Sequence, residues 1–142
     1  MATRSTIAVI HKDGTVSQVY CHWDGYLSHN GKLLVENYST QERAEALVTL
    51  GDISSLGKYI EPTSDSHTFG HPDTDVTVYY GRDRGESDGT ETKHYADVYE
   101  YLDKFVPEEY NYLFNGTSWG YQAYDMTEYV EVTSDLIEQE MA

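Results

Sequence analysis

The first twenty-five residues carry a two-residue rhythm. Ser5–Ile10 sets Ile7 and Val9 against Thr6, Ala8 and Ile10, and Thr15–Trp23 is again rich in β-branched and aromatic side chains. The linking His11-Lys12-Asp13-Gly14 ends on an Asp-Gly pair, which tolerates positive φ, so the two runs read as a hairpin whose second strand stops at Asp24-Gly25. The period then lengthens. Leu27, Leu34, Val35 and Tyr38 recur at helical intervals over Tyr26–Tyr38, predicting a helix broken near Asn30-Gly31. Ser39 with Glu42 forms a capping-box pattern ahead of Ala44, Leu47, Val48 and Leu50, and Gly51 stands where a helix should stop. Asp52–Gly57 reads as one further short helical turn capped by Asp52.

Glu61–Asp75, with Pro62, Gly70 and Pro72, has loop composition throughout, and Val76–Gly81 returns to strand chemistry. Arg82–Thr90 is a polar connection. Tyr95, Val98, Tyr99, Leu102 and Phe105 then trace an apolar stripe that predicts an amphipathic helix ending before Pro107. Tyr110–Phe114 and Ser118–Tyr124 flank Asn115-Gly116, a strong hairpin signal, with Glu128–Thr133 as a third strand and a short closing helix around Asp135 and Glu138. Five to six strands in hairpins, without regular βαβ alternation, predict an α+β fold. It has a mostly antiparallel sheet and two to four helices packed on one face.

Length supports a single domain over 1–142, since 142 residues suffice for a core without disulfide or metal staples. The lone Cys21 excludes an internal disulfide framework, fits a reducing cytoplasm, and reads as a small buried apolar residue. The N-terminus lacks the apolar core of a secretory signal, and no run of apolar residues is long enough to span a bilayer, so a cytoplasmic protein without membrane contact is expected.

Charge sharpens the picture. The chain carries 25 acidic and 9 basic residues, a net charge of −16. The imbalance is −1 over residues 1–50, −5 over 51–90 and −10 over 91–142, and no Lys or Arg follows Lys104. Such a surface repels phosphate backbones, which excludes direct nucleic-acid binding of the usual cationic kind and favours a basic protein partner.

No Walker loop, G-x-G-x-x-G, H-E-x-x-H, EF-hand loop or G-x-S-x-G elbow occurs. Adjacent Cys21 and His22 would face opposite sides of a strand, which disfavours a thiolate–imidazole pair. His22, Asp24 and His29 contain metal-ligand chemistry but read as strand, turn and helix-surface residues, and His67 and His71 read as solvated; no metal or other cofactor is expected. Two aromatic clusters remain. His22, Trp23, Asp24 and Tyr26 are dense in polar-tipped rings suited to a planar ligand. Tyr80, Arg82 and Arg84 form the second: on a continued strand both guanidinium groups would face one side as a fork for phosphate, unless Asp83, Glu86 and Asp88 neutralise them locally. The C-terminal third offers Glu108, Glu109, Tyr121, Tyr124, Asp125, Glu128 and Glu131 as an acidic, Tyr-rich protein interface.

The segments ATRSTIAV at 2–9, VYCHWDGYL at 19–27, GDISSLG at 51–57, YYGRDRGE at 79–86 and EEYNYLF at 108–114 resemble a family of small proteins encoded by tailed phages and prophages. The resemblance implies an accessory product working in the bacterial host cytoplasm. The resulting expectation is a non-enzymatic protein that counteracts host defence by binding a basic host protein, as an inhibitor or DNA-mimic-like decoy. Sequestration of a small phosphorylated ligand such as a nucleotide signal through Arg82, Arg84 and the HWDGY aromatics is the alternative. A virion structural role is a third, and homo-oligomerisation is compatible with each.

Overall fold

The computed structural model describes residues 2–86, 88–123 and 125–141. In chain order the elements are β1 (Ser5–Ile10), β2 (Val16–Cys21), a π-helical turn (Leu27–Gly31), α1 (Lys32–Asn37), α2 (Gln41–Thr49), β3 (Ile53–Ser55), β4 (Val78–Tyr79), α3 (Tyr80–Arg84), β5 (Lys93–Tyr95), α4 (Val98–Lys104), β6 (Tyr110–Phe114), β7 (Trp119–Ala123), β8 (Val130–Glu131) and α5 (Ser134–Met141). The fold is α+β, and among the described residues the eight strands join one sheet in the order β4-β3-β2-β1-β6-β7-β8, with β5 beside β2.

That sheet is larger than expected and mixed rather than mostly antiparallel. The two hairpins form as the turn residues direct, β1 on β2 with Ile7 opposite Val19 and β6 on β7 with Tyr112 opposite Tyr121. Yet β6 lies parallel to β1, Ile7 beside Tyr112, and β3 is parallel to β2 at Cys21 and Ile53. Hairpin signals report only neighbours in sequence. Parallel partners about a hundred residues apart leave no local mark.

Alternation along β1 feeds two cores. Ile7 and Val9, with Val19 and Cys21, face the larger one, where Leu34 of α1, Ala44, Leu47 and Val48 of α2, and Ile137 of α5 cover the sheet. Ala8 and Val16 face the opposite side and meet Tyr101 of α4, packed with Val98 and Phe105. Helices therefore cover both faces, not one. The stripe expected on α4 is also rotated: Tyr101 is fully buried while Tyr99 is 82% exposed, and Tyr95 belongs to β5 instead of the helix. The helix begins only at Val98, where the Asp97 cap accepts Glu100 N–H at 2.8 Å, and the inward side is the one on which Tyr101 packs with Val98 and Phe105.

Three further expectations change. Thr40, not Ser39, caps α2 by accepting Arg43 N–H, whereas Ser39 Oγ donates back to Val35 O. Asp52–Gly57 holds the strand β3 at Ile53–Ser55 rather than a helical turn, because Ile53 and Ser54 carbonyls accept the N–H groups of His22 and Trp23 and so prolong the β2 pairing. Val76–Gly81 supplies only the two-residue β4 before Tyr80 turns into α3. The predicted stop does occur at Gly51, whose φ of +89° ends α2 and whose Cα lies so close to Thr90 O that a Cβ would sit 2.4 Å from it. Among the described residues no helix is long and apolar enough to cross a membrane.

Candidate functional site

The two aromatic clusters singled out in the sequence do not converge. His22 Nδ1 lies 2.7 Å from Tyr20 Oη, and its ring meets half-exposed Trp23 edge-on at 4.7 Å. Asp24, in the left-handed region with φ +58°, accepts the Tyr26 hydroxyl at 3.1 Å, while Tyr26 sits edge-on to His29 at 6.2 Å. Among the described residues no three His, Cys, Asp or Glu groups gather as a cation would require. Cys21 points into the larger core, where burial pushes its thiol up to about 12.

The arginines lie elsewhere, and the helical backbone separates them. Arg82 donates from Nε and Nη2 to the two Asp83 carboxylate oxygens at 2.9 and 3.0 Å, from Nη1 to Ile60 O at 2.6 Å and from Nη2 to Thr77 O at 2.9 Å. Its guanidinium also lies 4.9 Å from the Tyr79 ring centre. With these donors engaged, the fork expected for phosphate is absent. Arg84, two residues on in a helix, points away over Phe69 at 5.1 Å, and Phe69 packs on Tyr80.

The 61–75 loop is thereby pinned over α3. His67, expected to be solvated, is buried: its Nδ1 accepts Asp73 N–H at 3.0 Å and its Nε2 lies 3.2 Å from Asp83 Oδ1, off the line of a hydrogen bond. Burial alone would raise the Asp83 carboxyl, but the Arg82, Tyr79 and His67 contacts outweigh it and hold it below the usual range.

The C-terminal interface is acidic but less tyrosine-rich than its sequence. Glu109, Asp125, Glu128 and Glu131 are exposed and Glu108 is half-buried. Tyr112 is buried, with its hydroxyl donating to Gly25 O at 2.6 Å, and Tyr110 stacks between Tyr112 and Tyr121, leaving Tyr121 half-buried. Tyr124 lies outside the described residues. The apolar exposure is on the α4 side instead, at Tyr99, Leu102 and Val106, with Val130 on β8. A hydrogen bond of 2.9 Å between the Tyr101 and Tyr129 hydroxyls ties those two segments together.

One arrangement that sequence motifs missed lies at the hairpin end of β2. A cleft of about 640 Å³ is lined by His11, Lys12, Ser17, Glu45, Thr49 and His94, among others. Glu45 Oε2 lies 2.7 Å from His11 Nδ1, His11 Nε2 lies 2.7 Å from Ser17 Oγ, and Ser17 Oγ lies 3.0 Å from His94 Nδ1. Gln41 Nε2 also donates to Glu45 Oε2 at 2.8 Å, and together with His11 it holds the Glu45 carboxyl below its usual range. An ionised Glu45 fixes the proton on His11 Nδ1, leaving Nε2 as acceptor for the Ser17 hydroxyl, while His94 donates to the same oxygen.

The hairpin contains half of this arrangement: alternation puts His11 on the same face as Val9 and hence diagonal to Ser17. Glu45 arrives on α2 and His94 on β5, and nothing in their spacing announces it. Comparison with protein-family models, with curated proteins and with solved structures returned no match to this chain.

Proposed function

We propose that this chain is a phage accessory protein that binds a basic surface of a host protein and thereby blunts a host defence. The observation that carries this reading is the concentration of exposed carboxylates after Lys104, at Glu109, Asp125, Glu128, Glu131, Asp135 and Glu138, with no Lys or Arg in that stretch to neutralise them. Like charges in one stretch strengthen one another's field, so they raise the encounter rate of a cationic partner and reject anionic ones. Tyr99, Leu102 and Val106 on the α4 side, with Val130 next to Glu131 on β8, add exposed apolar surface of the kind protein interfaces use. The resemblance to phage proteins supplies the biological setting.

The test is capture from host lysate on the immobilised protein at low and high salt, repeated with the triple variant Glu109→Lys, Glu128→Lys and Glu131→Lys. A partner retained by the parent chain, weakened by salt and lost by the variant supports the reading. Recovery of no partner at either salt, or equal recovery by the variant, overturns it.

A further inference from the structure

We propose that the Ser17, His11 and Glu45 relay is a nucleophilic site that hydrolyses small carboxylic esters. Three observations meet there. The hydroxyl, the imidazole and the carboxylate are joined by two contacts of 2.7 Å each, in the order nucleophile, base and orienting group. The relay opens on a cleft of about 640 Å³, room enough for a small acyl substrate. It is also braced from behind, since Gln41 shares Glu45 Oε2 and holds that carboxylate toward His11. Ser17 itself is 4% exposed, so the cleft side is the approach to its oxygen.

The chemistry balances with water as the only co-reactant. Ser17 Oγ attacks the ester carbonyl as its proton passes to His11 Nε2, and Glu45 stabilises the imidazolium through Nδ1–H. The tetrahedral adduct collapses, breaking the bond to the leaving alkoxide, which takes the proton from Nε2 and departs as the alcohol. Water then attacks the acyl-serine, giving its proton to His11. Collapse of the second adduct returns that proton to Ser17 Oγ and releases the carboxylic acid. His94 Nδ1, 3.0 Å from Oγ, and Lys12, which lines the same cleft, are the donors we assign to the oxyanion of the adduct. The hydroxyls of Thr49 and Thr92 donate to the Glu45 and Val48 carbonyls instead. Glu45 is a positioning residue.

The experiment treats the full chain with p-nitrophenyl acetate and, separately, with a fluorophosphonate, locating the adduct by peptide mass spectrometry. The proposal expects one phosphonylated residue, Ser17, and hydrolysis faster than that of Ser17→Ala by at least about 10²-fold, since the variant loses the nucleophile and with it the worth of general-base assistance. Glu45→Gln, at a half-buried helix position, should slow labelling and lower kcat with KM unchanged. Equal hydrolysis by parent and Ser17→Ala, an adduct on His11 or on another serine, or labelling indifferent to Glu45→Gln each overturns it. Should Ser17→Ala not fold, the labelling site and the Glu45→Gln comparison decide alone.

Discussion

The guanidinium of Arg82 grips the carboxylate of its sequence neighbour Asp83 with two hydrogen bonds, 2.9 Å from Nε and 3.0 Å from Nη2. Both side chains are mostly buried, so the pair neutralises itself inside the fold and gives up its availability to an external anion. Arg82→Ala leaves Asp83 without its main cation and should destabilise the protein by about 3 kcal/mol. Arg84→Ala, at an exposed position, should change stability by no more than about 0.5 kcal/mol. Urea unfolding of the two variants measures the contrast, and equal losses would show that the two arginines are equivalent.

The α2 cap offers a second contrast. Thr40→Ala removes the acceptor for Arg43 N–H and should cost about 1 kcal/mol, whereas Ser39→Ala removes only a donor to Val35 O at an exposed site and should cost under about 0.5 kcal/mol. The reverse order in thermal or urea midpoints would reinstate the capping box read from Ser39 and Glu42.

Tyr112→Phe leaves the Gly25 carbonyl without its buried donor and is expected to cost about 1–3 kcal/mol. Gly25 has no freedom to compensate, because a Cβ there would meet Ser5 Cβ at 2.8 Å, so the turn is already wedged against β1. Tyr121→Phe, with a half-buried ring on the same face, provides the control, and similar losses in the two variants would contradict this account.

Burial raises the Asp52 carboxyl above its usual range although Tyr20 N–H donates to it at 2.9 Å. A carboxyl that holds its proton more tightly folded than unfolded contributes less stability as pH rises from the ordinary carboxylate value through the raised one. Asp52→Asn keeps an oxygen for Tyr20 and removes that titration. The variant's stability relative to the parent should therefore be higher at about pH 7 than at about pH 4, which brackets the carboxylate range. Urea midpoints at the two pH values test the sign, and a relative gain on acidification would refute it.

Both hairpins, the stop at Gly51 and the closing helix were legible because each rests on a turn residue or a period within about fifteen residues, whereas the break read at Asn30-Gly31 is instead a passage from π-helical turn to α-helix with Gly31 in helical backbone. The misread segments share a different cause. Asp52–Ser55 follows a helix stop and looks like a new cap, yet β2 claims it through the His22 and Trp23 N–H groups. Val76–Gly81 reads as strand and Arg82–Thr90 as a polar connection, yet Asp83 accepts Tyr79 N–H at 2.8 Å and opens a helical turn over Tyr80–Arg84 that ends at Gly85, φ +74°. In each case a long-range or side-chain partner outbid local propensity.

The chain's own residues determined the α+β class, the hairpins and the acidic gradient, since these depend on side-chain type and near neighbours alone. Only tertiary structure decided that β6 lies parallel to β1, that Arg82 donates to the distant Ile60 carbonyl, and that Glu45 of α2 and His94 of β5 meet the His11 and Ser17 of one hairpin. Those contacts join residues whose separation along the chain carries no period, so packing is the only physical agent that brings them together.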